Sequence, residues 1–363
     1  MGRIGKVLFW AAVVGAGLAA SAYALRTPLT MAMLGRVAEA NAGRDSVAEL
    51  ADGLHVALCG TGSPFPDPAR AGPCTAVIAG TRVFVVDAGE GSARNLARMG
   101  VPAARIEAIL ITHFHSDHID GLAPLLLQRW AMASAQSPLA VRGPAGIERV
   151  LAGLREAYAS DTAYRVAHHT QKVMPPDGAG GRALAFTLPP PGQGDTATVI
   201  DDGGLKVTAF RVRHAPVEPA VGYRFDYKGR SVVISGDTAK TPTLVAAARG
   251  ADLLLHEALQ PRMVGLLEQG FAARSVANLA QIMRDIVDYH STPEEAAQQA
   301  AAAGVRRLVL NHIVPPLPAR FMNAAFLGDA ARHFAGPIII GVDGMVFSLP
   351  AGGDAIVESR AWR

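Results

Sequence analysis

Three histidines and a carboxylate fall within six residues in the segment Thr112-His113-Phe114-His115-Ser116-Asp117-His118-Ile119-Asp120-Gly121, directly after the apolar run IEAILI. So many polar groups beside a core strand are costly to bury unless something compensates them. A divalent cation does so, and imidazole nitrogen with carboxylate oxygen suits zinc, with manganese or iron as alternatives. In extended backbone, residues two apart share a face, so His113 and His115 can address one ion. The chain then turns, which lets Asp117 and His118 face a second position nearby.

Strands and helices alternate from Leu54 onward. LHVALCG, CTAVIAG, TRVFVVDAG and IEAILIT read as strands before the cluster, and LKVTAFRVRH, GYRFDY, RSVVISGD, ADLLLHEA, VRRLVLNH and PIIIGVDGMVFSL after it. Gly80-Thr81, Asp202-Gly203-Gly204 and Lys228-Gly229 supply hairpin turns. Helices are expected over Ser92–Met99, Asp120–Ala133, Gly146–Tyr158 and Arg262–Tyr289, the last interrupted at Gly270. A further helix over Thr292–Ala303 has Thr292 as cap, Pro293 at its first position and Glu295 three residues on. Met174 to Gly194 is dominated by Pro and Gly and reads as a long irregular loop. No linker divides the chain near its middle. The expected fold is therefore α/β, an αββα sandwich of two mixed sheets with helices outside, over residues 54–350, with 351–363 as a tail.

Three more candidate ligands stand at predicted strand ends. His214 follows LKVTAFRVR, Asp237 follows SVVIS in Gly236-Asp237-Thr238, and His312 ends RLVLN. With the His-x-His-x-Asp-His segment they resemble, in order, the metallo-β-lactamase superfamily. That resemblance implies that His113, His115 and His214 bind one metal, that Asp117, His118 and His312 bind a second, and that Asp237 bridges them. Water held between two cations loses a proton readily and becomes a nucleophile, oriented here by Asp117.

Within the superfamily the chain is similar to the ribonuclease Z branch and its exported arylsulfatase-like relatives. Gly60-Thr61-Gly62-Ser63-Pro64, Asp87-Ala88-Gly89-Glu90-Gly91, His256-Glu257-Ala258 and His290-Ser291-Thr292 carry this similarity, which covers roughly Leu54 to Phe347. It implies that His290, assisted by Glu257, protonates or stabilises the leaving oxygen. A plainer reading makes His290 a cap for the helix at Pro293. His168 and His169 read as exposed residues, and His55 and His333 have no motif context.

The N-terminus bears on location. Arg3 and Lys6 precede the uncharged run Val7–Leu25, about long enough to span a bilayer, which takes roughly 17–25 residues. Residues 1–28 are thus expected to be a signal peptide or single membrane anchor, 29–53 a helical connector, and the rest exported, periplasmic or extracellular. Cys59 and Cys74, the only cysteines, could pair in an oxidising compartment or be small buried apolar groups.

Substrate expectations follow from one departure. Ribonuclease Z enzymes commonly carry a long arm that grips tRNA between the residues matching His214 and Asp237, and here only a hairpin separates them. A net charge of +3 with scattered Lys and Arg adds no nucleic-acid footprint. The expected partner is a small anionic ester, a sulfate monoester or phosphodiester, with nucleic acid disfavoured. A tRNA 3′ endonuclease, a lactone or thioester hydrolase, and a non-catalytic metal-binding module at the membrane are the alternatives. Whether the chain works as a homodimer is left open.

Overall fold

A computed structural model describes residues 2–362. It comprises two compact units divided after Asp45. The first is essentially one helix, α1 (Arg3–Asn41), with Pro28 inside it and none of its residues buried. It is long and apolar enough to cross a membrane. The anchor and connector expected on either side of residue 28 are thus continuous helix as far as Asn41. The second unit starts at Ser46, ahead of the expected Leu54. Ser46 N donates to Gly100 O at 2.8 Å, and Val47 is buried.

The first half of the second unit contributes strands β1 (Gly53–Gly60), β2 (Cys74–Ala79), β3 (Arg82–Val86), β4 (Ile106–Leu110), β5 (Leu139–Pro144) and β6 (Gly181–Phe186). Its helices are α2 (Ser92–Arg98), α3 (Ser116–Ile119), α4 (Leu122–Ala133), α5 (Ile147–Ala157) and α6 (Ala159–Val173). The second half contributes β7 (Thr196–Asp202), β8 (Leu205–Arg211), β9 (Val221–Tyr227), β10 (Arg230–Ile234), β11 (Leu253–Leu259), β12 (Arg307–Val314), β13 (Ile338–Ile340), β14 (Met345–Pro350) and β15 (Val357–Arg360). Its helices are α7 (Pro242–Ala247), α8 (Pro261–Ala273), α9 (Ala277–Asp285), α10 (Pro293–Ala303) and α11 (Met322–Leu327).

Two mixed sheets result, in the orders β15-β14-β1-β2-β3-β4-β5-β6 and β13-β12-β11-β10-β9-β8-β7. Leu54, Val56, Phe84 and Val86 of the first meet Val207, Tyr223, Phe225 and Leu255 of the second in one buried layer. Helices cover both outer faces. Leu96, Leu122 and Leu125 pack on Ile78, Val85 and Ile109, while Leu244, Ala296 and Ala300 pack on Val233, Leu254 and Leu308. Strands covered on both faces read as continuous apolar runs, which is why β1 and β11 are buried throughout. This is the αββα arrangement of a metallo-β-lactamase fold.

Several elements differ from expectation. The supposed irregular stretch at 174–194 contains β6, which pairs in parallel with β5, Leu139 opposite Gly181 through Pro144 opposite Phe186. The flanking Gly and Pro residues mask it. The helical span at 262–289 breaks at Ser275 (φ 60°), not at Gly270, which lies inside α8. The expected tail supplies β15, which closes the edge beside β14.

Candidate metal centre

β4 delivers the histidine motif. Past its end Thr112 and His113 are fully buried, His115 precedes the one-turn helix α3, and Asp117 and His118 lie within that turn. Glycine permits the tight return. A Cβ on Gly121 would stand 2.1 Å from Gly89 O, and one on Gly89 would stand 2.3 Å from Asp117 O. The turn after β3 therefore packs directly against the motif. His214 follows β8, Asp237 follows β10 after Gly236 (φ 61°), and His312 lies in β12 at φ 46°.

Distances bring all seven predicted ligands together. Asp237 Oδ2 lies 3.3 Å from His118 Nε2 and His312 Nε2, 3.8 Å from His113 Nε2 and 3.9 Å from His214 Nε2. Two donor groups meet at that carboxylate. In one, His113, His115, His214 and Asp237 offer ligand atoms within 4.8 Å of one another, and Asp117, His118 and His312 do so in the other. A third group combines Asp237 and His312 with His290.

Outer hydrogen bonds set which nitrogen faces inward. His118 Nδ1 donates to Asp87 Oδ2 at 2.8 Å, and His214 Nδ1 donates to the Tyr289 carbonyl at 3.0 Å. His113 Nδ1 lies 3.1 Å from Thr112 Oγ1, which itself donates to Asp87 Oδ2. With Nδ1 carrying the proton, each Nε2 presents a lone pair to the centre. His118 Nε2 and Asp237 Oδ1 are buried without a hydrogen-bond partner. Buried polar atoms are rarely left so. The donor set fits divalent cations.

Electrostatics agree. Burial pushes His113 well below the usual histidine range, and likewise lowers His115 and His214, which favours the neutral rings that ligation needs. Burial would lower His118 too, but Asp237, Asp87 and Asp117 outweigh it and raise its pKa well above the ordinary value. His312 is raised against its burial chiefly by Asp237 and Asp117. The carboxylates thus create a field that calls for positive charge, which protons or metal ions can supply.

A second pair stands at the rim. Glu257, buried at the end region of β11, accepts from Ser291 N at 2.8 Å, and its Oε1 lies 3.3 Å from His290 Nδ1. Thr292, not His290, caps α10, its Oγ1 accepting from Glu295 N at 3.1 Å. His290 is thereby free to face the cleft, where it stacks on His312 with ring centroids 5.5 Å apart. A cavity of about 410 Å³ opens here, walled by Phe65, Ile282, Met283 and Tyr289 beside Asp117, His290 and His312. His256 points away, Gln299 Nε2 donating to its Nε2 at 3.0 Å. His55 is buried in β1, while His168 and His169 are exposed on α6.

Asp87 and Tyr289 went unassigned in the sequence. Asp87 opens the Asp-Ala-Gly-Glu-Gly turn and Tyr289 sits beside the His-Ser-Thr segment, so adjacency to those motifs was the available signal.

Fold and site together define a metal-dependent hydrolase. Residues 82–313 match the family described as "Beta-lactamase superfamily domain". A ribonuclease Z of Mycobacterium avium is 39% identical over 292 residues, covering 80% of this chain and 96% of the relative. A ribonuclease Z of Mycobacterium marinum is 37% identical over the same shares. Among solved structures, the short form of human tRNase Z superposes with a TM-score of 0.56 at 24% identity, over 82% of this chain and 99% of its own. The metallo-β-lactamase fold protein YhfI of Bacillus subtilis gives 0.57 at 20%, over 81% and 99%. The chain belongs to the β-lactamase superfamily, in its ribonuclease Z branch.

These relatives overturn the expectation that nucleic acid is disfavoured. That expectation rested on the missing arm, the exported address and the scattered charge, yet proteins named ribonuclease Z match this chain across nearly their whole length.

Proposed function

We propose that the protein is a phosphodiesterase of the ribonuclease Z type acting on RNA, in preference to a sulfate-ester hydrolase. The observation that carries the chemistry is the convergence of two donor groups on Asp237 beside the His290–Glu257 pair. The ribonuclease Z relatives support RNA as the substrate.

In this reading His113, His115 and His214 would hold one cation and Asp117, His118 and His312 a second, with Asp237 within reach of both groups. We assign zinc from the five imidazoles and two carboxylates. When bound, such ions would supply an activated water near neutral pH and offset charge on a phosphoryl group. Asp117 orients the attacking water. His290 would donate a proton to the oxygen that leaves, with the Glu257 carboxylate 3.3 Å from its Nδ1. The apolar wall of Phe65, Ile282 and Met283 excludes water from that side of the cavity.

The test offers zinc-loaded protein a structured RNA with a 3′ extension, bis-p-nitrophenyl phosphate and p-nitrophenyl sulfate. Cleavage of the RNA and the small diester is expected. Turnover of the sulfate alone would overturn the assignment.

We further propose that the second unit lies outside the cytoplasm, with α1 as its anchor. The apolar helix supports this, as does the bond between Cys59 and Cys74, since such bonds persist mainly in oxidising compartments. The RNA it meets is then RNA present in that compartment. An alkaline phosphatase fused after Arg363 should be active, and an inactive fusion beside an active cytoplasmic reporter at the same point reverses the topology.

A further inference from the structure

A second cavity, of about 700 Å³, lies behind the loop that walls the metal centre. Pro64, Phe65 and Pro66 face the catalytic cavity, while Asp67 to Ala71 line this second one. Val314 and Leu317 divide likewise, Val314 lining the first and Leu317 the second. The two cavities therefore share their dividing wall.

Five arginines line the second cavity: Arg70, Arg94, Arg98, Arg320 and Arg360. Arg70 is committed to the wall, its guanidinium donating to Thr61 Oγ1 and Gly341 O, both at 2.5 Å. The carboxylate of Asp343 is committed too. It accepts from Thr61 N at 3.0 Å, Thr61 Oγ1 at 2.8 Å, Ala71 N at 2.7 Å and Asn95 Nδ2 at 2.8 Å. These bonds pin the dividing loop from below.

Four cations remain. Arg94 has Glu90 only at 3.6 Å, and Arg98 lies over the Trp362 ring at 4.2 Å. Among the described residues no carboxylate lies within 4.0 Å of Arg320 or Arg360. A polar cavity in which Arg98, Arg320 and Arg360 have no carboxylate partner among the described residues and Arg94 has only the loose pair with Glu90, one wall away from a phosphodiesterase centre, is suited to phosphate.

We propose that this cavity binds backbone phosphates of the RNA strand away from the bond that is cut, an inference that rests on the RNA reading above. The arginines would supply sequence-independent affinity and hold the strand in register, while the metal centre supplies the chemistry.

The experiment uses the full chain in detergent with excess chelator, so that no cleavage occurs, and a fluorescein-labelled 20-nucleotide single-stranded RNA. Anisotropy gives Kd at several salt concentrations for wild type, Arg94→Ala/Arg320→Ala, and the charge-matched control Lys206→Ala/Arg249→Ala. All four positions are exposed. The arginine double variant should bind about tenfold more weakly, with the slope of log K against log salt reduced by about 1.4, from roughly 0.7 per phosphate contact on single strands. With zinc restored, its loss in kcat/KM on RNA should exceed its loss on bis-p-nitrophenyl phosphate at least about fivefold.

Equal Kd values and slopes for the two double variants overturn the proposal while leaving the RNA reading intact if wild type still cleaves RNA. Wild type that neither binds nor cleaves RNA overturns both. Saturable binding of inorganic pyrophosphate that displaces no RNA, and is lost in Arg94→Ala/Arg320→Ala, assigns the cavity to a free anion and overturns the strand site.

Discussion

Asp87 Oδ2 accepts a hydrogen bond from His118 Nδ1 at 2.8 Å, while Asp87 Oδ1 accepts from the backbone N–H of Thr112 at 2.8 Å. One carboxylate thereby fixes both the ring of a proposed ligand and the start of the segment that carries His113, His115 and Asp117. Asp87 itself offers nothing to the donor groups. Its task is orientation.

Asp87→Ala should therefore weaken metal binding without removing a ligand. Residues that orient a ligating histidine are worth about 10–100-fold in metal affinity. Zinc titration against a competing chelator measures this directly, with circular dichroism to confirm the fold. An affinity equal to wild type would show that His118 needs no such partner.

His290 and Glu257 are predicted to act as one unit. His290→Ala should lower kcat by about 10²–10⁴, the usual range for a lost general acid. Glu257→Gln should lower it less, and the double variant should be little worse than His290→Ala alone, as expected for groups that act through one another. Bound zinc per chain decides the role, because His290 also stands in a donor group with Asp237 and His312. Loss of one zinc per chain in His290→Ala would make it a ligand and remove it as the acid.

Much of this centre was legible because each proposed ligand lies past or near the end of a recognisable strand, and strand ends can aim side chains from distant positions into one cleft. His214, Asp237 and His312 owe their placement to β8, β10 and β12, whose apolar patterns are plain. Asp87 and Tyr289 were not legible as orienting groups, since their hydrogen bonds span 31 and 75 positions respectively. β6 was hidden by Gly180, Gly181 and the prolines after Leu188, although the open edge of β5 gave GRALAF a place to pair. Substrate was misjudged because an absent arm and an exported address were weighed against nucleic acid, whereas relatives matching this chain over 96% of their length bear the ribonuclease name. The arginine cavity is assembled from α2, the 67–71 loop, the 317–323 segment and β15, and no local pattern joins those four.

His55 makes a prediction about acid stability. It is 1% exposed in β1, its Nε2 donates to Ala51 O at 2.8 Å, and Nδ1 has no partner. Burial lowers its pKa, because protonation would create a buried N–H with nothing to receive it. The unfolded chain takes up that proton near about pH 6.5 and the folded chain does not. Above that value His55 contributes no pH dependence. Below it, stability falls with pH by at most about 1.4 kcal/mol per unit from this group, until the folded value is reached. In urea unfolding with chelator throughout, the stability difference between wild type and His55→Gln should shrink between pH 7.5 and pH 5.5. A constant difference would mean that His55 is protonated equally in both states.

The bond between Cys59 and Cys74 closes a segment of 15 positions that includes Phe65 and Arg70, and so ties the base of the loop dividing the two cavities. Its removal should act twice. A cross-link around a loop of about this length is worth roughly 3 kcal/mol through the unfolded chain, so Cys59→Ser/Cys74→Ser should lower the urea midpoint. The same variant should raise KM for RNA more than it lowers kcat, because Phe65 borders the catalytic cavity but stands outside the donor groups. Asp343 still pins Thr61 and Ala71 when the sulfurs are gone, which limits the loosening to the loop's outer part. Native protein denatured without reductant should expose no alkylatable thiol. Two reactive thiols per chain under those conditions, with KM and midpoint equal to those of the serine variant, would remove the cross-link and both of its consequences.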